Sequence, residues 1–185
     1  MTPFETVLGP RFHHLMPQLR QLHGARAPLW RGQVSVQTAS GLLGRAIARF
    51  GGFPSAMQKA PMTIHIAPQQ GGSEIWTRDF DGHVLKSTIW VDEATGDLRE
   101  TIGPASFILR PQVRADTLHV HLGKTLLFGR WTLPKGLAVK SDSSIWQDEA
   151  GRYRFDIKAS LSGLGQFMRY EGWLRPEMQS GFVAD

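Results

Sequence analysis

The sequence contains no cysteine and no asparagine. Without cysteine there is no disulfide framework, no thiolate zinc or iron–sulfur site and no cysteine nucleophile. Without asparagine there is no N-glycosylation acceptor. No run approaches the roughly 18 consecutive apolar residues that a membrane span needs. The opening Met1-Thr2-Pro3-Phe4-Glu5 lacks the basic and apolar regions of a signal peptide, so a cytoplasmic protein is expected. Also missing are a phosphate-cradling glycine loop, a G-x-G-x-x-G after a strand, a G-x-S-x-G elbow and an H-E-x-x-H helix. Gly163-Leu164-Gly165 falls in a hairpin and is no nucleotide fingerprint. Neither cofactor nor metal is therefore expected.

Lysine and arginine number 21 against 16 acidic residues, a net charge of +5. Such an excess favours anionic partners in general. The basic residues are scattered singly along the chain, with no zinc-finger, RNP or helix-turn-helix pattern, so no nucleic acid is expected. A length of 185 residues is that of a single domain, 1–185. It comprises a helical segment over 1–24 and a loose tail over 177–185.

Thr2-Pro3-Phe4-Glu5 offers an N-cap, a proline in the first helical turn and a glutamate three residues past the cap. Phe12, Leu15, Met16, Leu19 and Leu22 then share one helical face, which Pro17 splits into short pieces. Leu29 to Thr38 alternates as a strand, with Trp30, Gly32, Val34 and Val36 on one side. A helix is expected over Ser40–Phe50, ended by Gly51-Gly52, with Arg45 and Arg49 on its polar face. From Pro61 onward the period is two, interrupted by turn signals, of which Asp81-Gly82 is the sharpest. The pattern predicts a mainly β fold: an antiparallel meander of about nine strands, closed into a lipocalin-like barrel or a strongly curved half-barrel. A helix-grip fold normally ends in a long helix, whereas this chain ends in strands.

Residues that break the alternation are the most informative. Arg78 shares a face with Trp76 and Phe80, and Glu100 shares one with Leu98 and Ile102. If the apolar residues point inward, so do both charges. Neither is stable buried alone, so they are expected to pair and form a polar centre in an apolar interior. Tyr170 falls in the inward set Met168, Gly172 and Leu174, where its hydroxyl can meet a ligand. His119 and His121 have metal-ligand spacing, but their face is opposite Leu118, Val120 and Leu122 and points to solvent. His13 and His14 point apart. His23 and His65 are lone candidates for a general base.

Three segments carry a likeness. They are Leu8-Gly9-Pro10 through Leu22-His23-Gly24; Glu74-x-Trp76-x-Arg78-x-Phe80 with Glu100-x-x-Gly103-Pro104; and Tyr153-x-Phe155 with Arg169-Tyr170-x-Gly172-Trp173-Leu174. Together they resemble a bacterial domain family of unknown function, which occurs alone or appended C-terminally to saccharopine-dehydrogenase-like oxidoreductases. The resemblance covers roughly Phe4 to Pro176. It implies that Arg78, Glu100 and Tyr170 belong to a recurring pattern, and it implies a dehydrogenase-like partner. Thr101-Ile102 departs from the family's pattern, which has an aromatic nearby.

These readings lead to three expectations. The first is binding of a small apolar or amphipathic molecule, lipid, fatty-acid or polyketide-like, inside the barrel. Trp76, Arg78, Phe80, Glu100 and Tyr170 would contact it, with a carbonyl or anionic head at Arg78. The second is a cofactor-independent isomerase or cyclase of such a molecule. There Glu100 is the general acid or base, and Arg78 and Tyr170 stabilise an enolate. The third is an accessory domain that docks on an oxidoreductase. The basic Ser40–Phe50 helix would also suit an anionic membrane surface.

Overall fold

A computed structural model of the chain describes residues 1–24, 29–39, 41, 51–132, 134, 139–162 and 165–177. The helix expected over Ser40–Phe50, apart from Gly41, and the tail from 178 onward lie outside the described residues.

The N-terminal segment follows its caps. Helix α1 spans Pro3–Leu8. Thr2 Oγ1 accepts from the Glu5 amide at 3.2 Å, while the Thr2 amide donates to Glu5 Oε2 at 2.8 Å. This reciprocal box satisfies two amides that a helix start otherwise leaves unpaired. A 3-10 turn over Gly9–His14 follows, and helix α2 spans Pro17–His23 with its proline in the first turn. Of the expected apolar face, Phe12, Leu15, Leu19 and Leu22 are buried in the core and Met16 packs half-buried against it; Phe4 and Leu8 of α1 join the same core.

The alternating pattern builds strands β1 (Leu29–Thr38), β2 (Met57–Pro68), β3 (Glu74–Phe80), β4 (His83–Val91), β5 (Leu98–Ile102) and β6 (Ala105–Arg114). They continue as β7 (Thr117–Leu127), β8 (Trp131–Thr132), β9 (Val139–Gln147), β10 (Tyr153–Leu161) and β11 (Gly165–Pro176). The first seven pair in chain order, β7 pairs with β9, and β9, β10 and β11 lead back to β1. All pairings are antiparallel. The register from Trp30↔Pro176 to Thr38↔Met168 closes the ring, so this is a full barrel and not a half-barrel. Strand β8 stands outside the ring, paired with Leu126 and Leu127.

Ten strands thus form the barrel, one more than the alternation predicts. The additional strand is β9. Its inward positions include Ser141 and Ser143, so the hydroxyls hide the apolar period on which a strand is recognised. Elsewhere the expected hairpin is present. Asp81 and Gly82 both take left-handed backbone, at φ 52 and 92, and the Gly82 amide donates to Asp79 Oδ1 at 2.7 Å.

Closure needs curvature. Register shifts at Val34/Val36, Phe107/Leu109 and Ala159/Ser160 bend three strand pairs. Gly32 and Gly172 let β1 and β11 approach closely: a Cβ on Gly32 would sit 1.8 Å from the Trp173 carbonyl oxygen. Because the strands alternate in direction, turns gather at two ends. One end is covered by the helices, with α1 against β4, β5 and β6 and α2 against β9. The Gln18 amide donates to Gln147 Oε1 at 3.0 Å and Thr2 Oγ1 to the His23 carbonyl at 2.8 Å, which ties the cover in place. The other end carries the Asp81-Gly82, Gly103-Pro104 and Phe128–Arg130 turns.

Candidate functional site

The barrel encloses a cavity of about 520 Å³, with Phe4 and His23 from the helices on its floor. On three neighbouring strands a polar residue interrupts the apolar inward set at mid-barrel, and β3 also buries Glu74 at its start. Arg78 alternates with Trp76 and Phe80 on β3, Ser87 with Leu85 and Ile89 on β4, and Glu100 with Leu98 and Ile102 on β5. The registers Arg78↔Leu85 and Ile89↔Glu100 bring the three together. Arg78 Nη2 donates to Glu100 Oε1 at 3.0 Å and Nη1 to Ser87 Oγ at 2.8 Å. Its Cζ lies 5.2 Å from the Trp76 ring centroid, a cation–π distance. The expected ion pair therefore exists, with Arg78 only 9% exposed.

Burial disfavours the guanidinium charge, but Glu100, followed by the two tyrosines, more than offsets it, and the Arg78 pKa is raised. Burial pushes the Tyr170 hydroxyl up to about 12, against the pull of Arg78. Tyr153 is pushed up further for the same reason. Burial and then Arg78 hold His23 down at about 3, a neutral imidazole near neutral pH. Its Nε2 lies 3.2 Å from the Tyr153 hydroxyl. Below the floor, burial raises the Glu74 carboxyl although the Trp76 indole donates to its Oε2 at 2.9 Å. Arg78 and Glu100 are the charged residues among the described residues of the cavity wall, and they cancel.

Of the residues singled out from sequence, Trp76, Arg78, Glu100 and Tyr170 lie on that wall. Phe80 packs edge-on against the Tyr170 ring, with centroids 5.8 Å apart, and sits behind the wall rather than on it. His119 and His121 project outward and stack at 6.4 Å, and His119 Nδ1 meets Ser144 Oγ at 3.2 Å. His65 is exposed on β2. His23 is the histidine that reaches the cavity.

Several interior residues escaped sequence reasoning. Ser87 carried the same signal as Arg78, a polar residue inside an apolar alternation, and was legible on that ground. Ser141 and Ser143 were hidden with their strand; their hydroxyls lie 2.9 Å apart. Strands β3 and β9 are five places apart in a ring of ten, so this hydroxyl pair lines the wall opposite Arg78. Thr125 Oγ1 is buried with no hydrogen-bond partner among the described residues.

Residues 15–174 match the family described as a domain of unknown function, DUF4166. The chain belongs to this family. The matched stretch holds the whole polar centre of the DUF4166 domain, from Arg78 and Ser87 to Glu100 and Tyr170. Among solved structures, the domain is similar to a protein of unknown function from the DUF3598 family of Nostoc punctiforme. The identity is 10%, the match covers 82% of this chain and 47% of that one, and the TM-score is 0.42. The chain thus spans about half the length of that protein. No curated protein matches.

Proposed function

We propose that this domain binds a neutral, largely apolar small molecule inside its barrel. The observation that carries the reading is the cavity itself. Its volume of about 520 Å³ falls within the roughly 300–1,000 Å³ of small-molecule sites, and a few convergent polar groups stand in apolar walls. Charge balance narrows the ligand. Glu100 already neutralises Arg78, so a carboxylate head would leave an uncompensated charge in an apolar interior, which is strongly unfavourable. A carbonyl or hydroxyl meets the free N–H directions of Arg78 without that cost. A neutral lipid or polyketide-like molecule fits better than a fatty acid.

The test compares a long-chain ketone or alcohol with the carboxylic acid of equal chain length, by thermal shift at neutral pH. The neutral compound is expected to raise Tm and the acid to leave it unchanged. An acid that stabilises more than its neutral analogue overturns the reading.

A second reading, cofactor-independent isomerisation of such a molecule, uses the same centre. What favours it is the juxtaposition of a carboxylate, a guanidinium and a phenol that stays protonated. Glu100 would exchange its pairing with Arg78 for a substrate proton, and Arg78 and Tyr170 would hold the enolate oxygen. Glu100→Gln should then abolish turnover of a bound ketone while preserving its binding. Docking on a saccharopine-dehydrogenase-like partner, and a cytoplasmic setting, rest on the resemblance and the composition.

A further inference from the structure

We propose that the hairpin from Phe128 to Trp131 docks this domain onto an anionic lipid bilayer. Four large apolar side chains are exposed among the described residues: Met1, Val84, Phe128 and Trp131. Three of them lie at the end of the barrel opposite the helices. Phe128 is 65% and Trp131 66% exposed, and their rings meet edge-on at 6.0 Å. They pack on each other, at the tip of a turn.

The backbone makes the tip more unusual. Phe128 has φ 50, a left-handed conformation that is strained for a bulky residue. An exposed phenylalanine in a strained position gains nothing for the fold that glycine would not supply better. The turn is nevertheless held firmly. The Phe128 amide donates to the Pro104 carbonyl at 2.7 Å, and the Arg130 amide to that of Leu127 at 3.1 Å. The rings are therefore presented on a fixed support.

Charge and size indicate the occupant. Arg130 in the turn, Lys124 on β7 and Lys140 on β9 are all exposed. Cations beside an exposed tryptophan suit the headgroup region of an anionic bilayer, where aromatic rings settle and basic residues meet phosphate. A patch of two rings falls far short of the roughly 1,000 Å² that a stable protein interface needs.

A second observation lies directly beside the tip. Among the described residues, the pairing of β7 with β9 stops at His121↔Asp142. Above that point β7 pairs with β6 and β8, and β9 with β10. Leu122, Thr125 and Leu127 on one side and Val139 and Ser141 on the other all line the cavity. At this height the edge of β7 that β9 leaves is taken by β8, whose Trp131 and Thr132 pair with Leu127 and Leu126, so the aromatic tip adjoins the cavity mouth that Leu127 lines. The passage of an apolar molecule between membrane and cavity at this mouth, unlike the docking, rests on the ligand-binding reading.

The experiment is co-sedimentation with vesicles of phosphatidylglycerol mixed with phosphatidylcholine, and with phosphatidylcholine alone. The probes are wild type, the double variant Phe128→Ser with Trp131→Ser, and Phe128→Gly. Wild type should pellet with the anionic vesicles, less so in high salt. The double variant should bind at least about tenfold more weakly, the contribution of one buried aromatic side chain. Phe128→Gly should weaken binding while raising Tm, which separates loss of docking from loss of fold. Wild type remaining in the supernatant with anionic vesicles at low salt overturns the proposal. So does a double variant that pellets like wild type, or a wild-type dimer in solution that the double variant dissolves. A ligand thermal shift that persists without vesicle binding sinks only the docking. Vesicle binding without any ligand shift sinks only the cavity reading and the passage.

Discussion

The two ends of the barrel solve opposite problems. At the helical end, apart from the terminal Met1, the apolar side chains pack into the core: Leu19 and Leu22 are fully buried, and His23, Trp76 and Tyr153 pack ring against ring. Burial there holds His23 neutral near neutral pH and raises the Glu74 carboxyl, which accepts from the Trp76 indole. At the other end apolar rings stand in solvent on a strained turn. The difference teaches where this chain spends stability. The closed end is built as a core is built. The open end carries features that a core has no use for, and these mark the surface that meets something else.

The largest expected effect tests how far the closed end depends on its charge pair. Arg78→Leu leaves Glu100 buried without a partner and should cost roughly 3–5 kcal/mol in urea unfolding. Adding Glu100→Leu should restore most of that loss. A double variant as unstable as the single one would show that Ser87 and the packing, not the pairing, hold this region together.

Next comes a direct contrast between the ends. Leu22→Ala, on the buried face of α2, should cost roughly 2–5 kcal/mol. Leu127→Ala, half-buried at the mouth, should cost about 1 kcal/mol or less by the same measurement. Equal losses would mean that the mouth is packed as tightly as the floor.

Acid should sharpen the contrast through His23. Its folded pKa of about 3 lies below its ordinary value of 6.5. The unfolded chain therefore takes up the proton first, and stability falls as pH drops from 6.5 towards 3. The slope is at most about 1.4 kcal/mol per pH unit. Glu74, raised by burial from 4.5, binds its proton first in the folded chain, so it works in the opposite direction and flattens the curve above pH 4.5. Thermal unfolding across this range should show the loss in wild type and a shallower one in His23→Leu.

The smallest effect has the opposite sign. Phe128→Gly relieves a left-handed backbone and should stabilise by about 1 kcal/mol in calorimetry. A loss of stability would place the Phe128 ring in the fold after all and remove the contrast between the ends.

Much of this molecule was legible residue by residue. The capping box at Thr2 and Glu5, the face of α2, the Asp81-Gly82 turn and the inward sets of most strands follow from local periods and turn chemistry. The Arg78–Glu100 pair followed from one step more, two inward charges of opposite sign that neither could afford to bury alone. The same rule applied to Ser87 would have completed the centre. It failed at β9, where the inward residues are serines and no apolar period exists to be seen.

Alternation is a local property, because side chains reverse at each residue whatever the rest of the chain does. The sequence therefore determined by itself which face each residue takes, that the fold is an antiparallel meander, and that Arg78, Glu100 and Tyr170 share its interior. Closure is collective, the sum of registers and bulges over ten strands, and only the tertiary structure decided it. With closure came what no spacing encodes. His23 sits beside Tyr153 across 130 positions of sequence, Phe80 falls behind Tyr170, and Ser141 and Ser143 stand on the wall opposite Arg78.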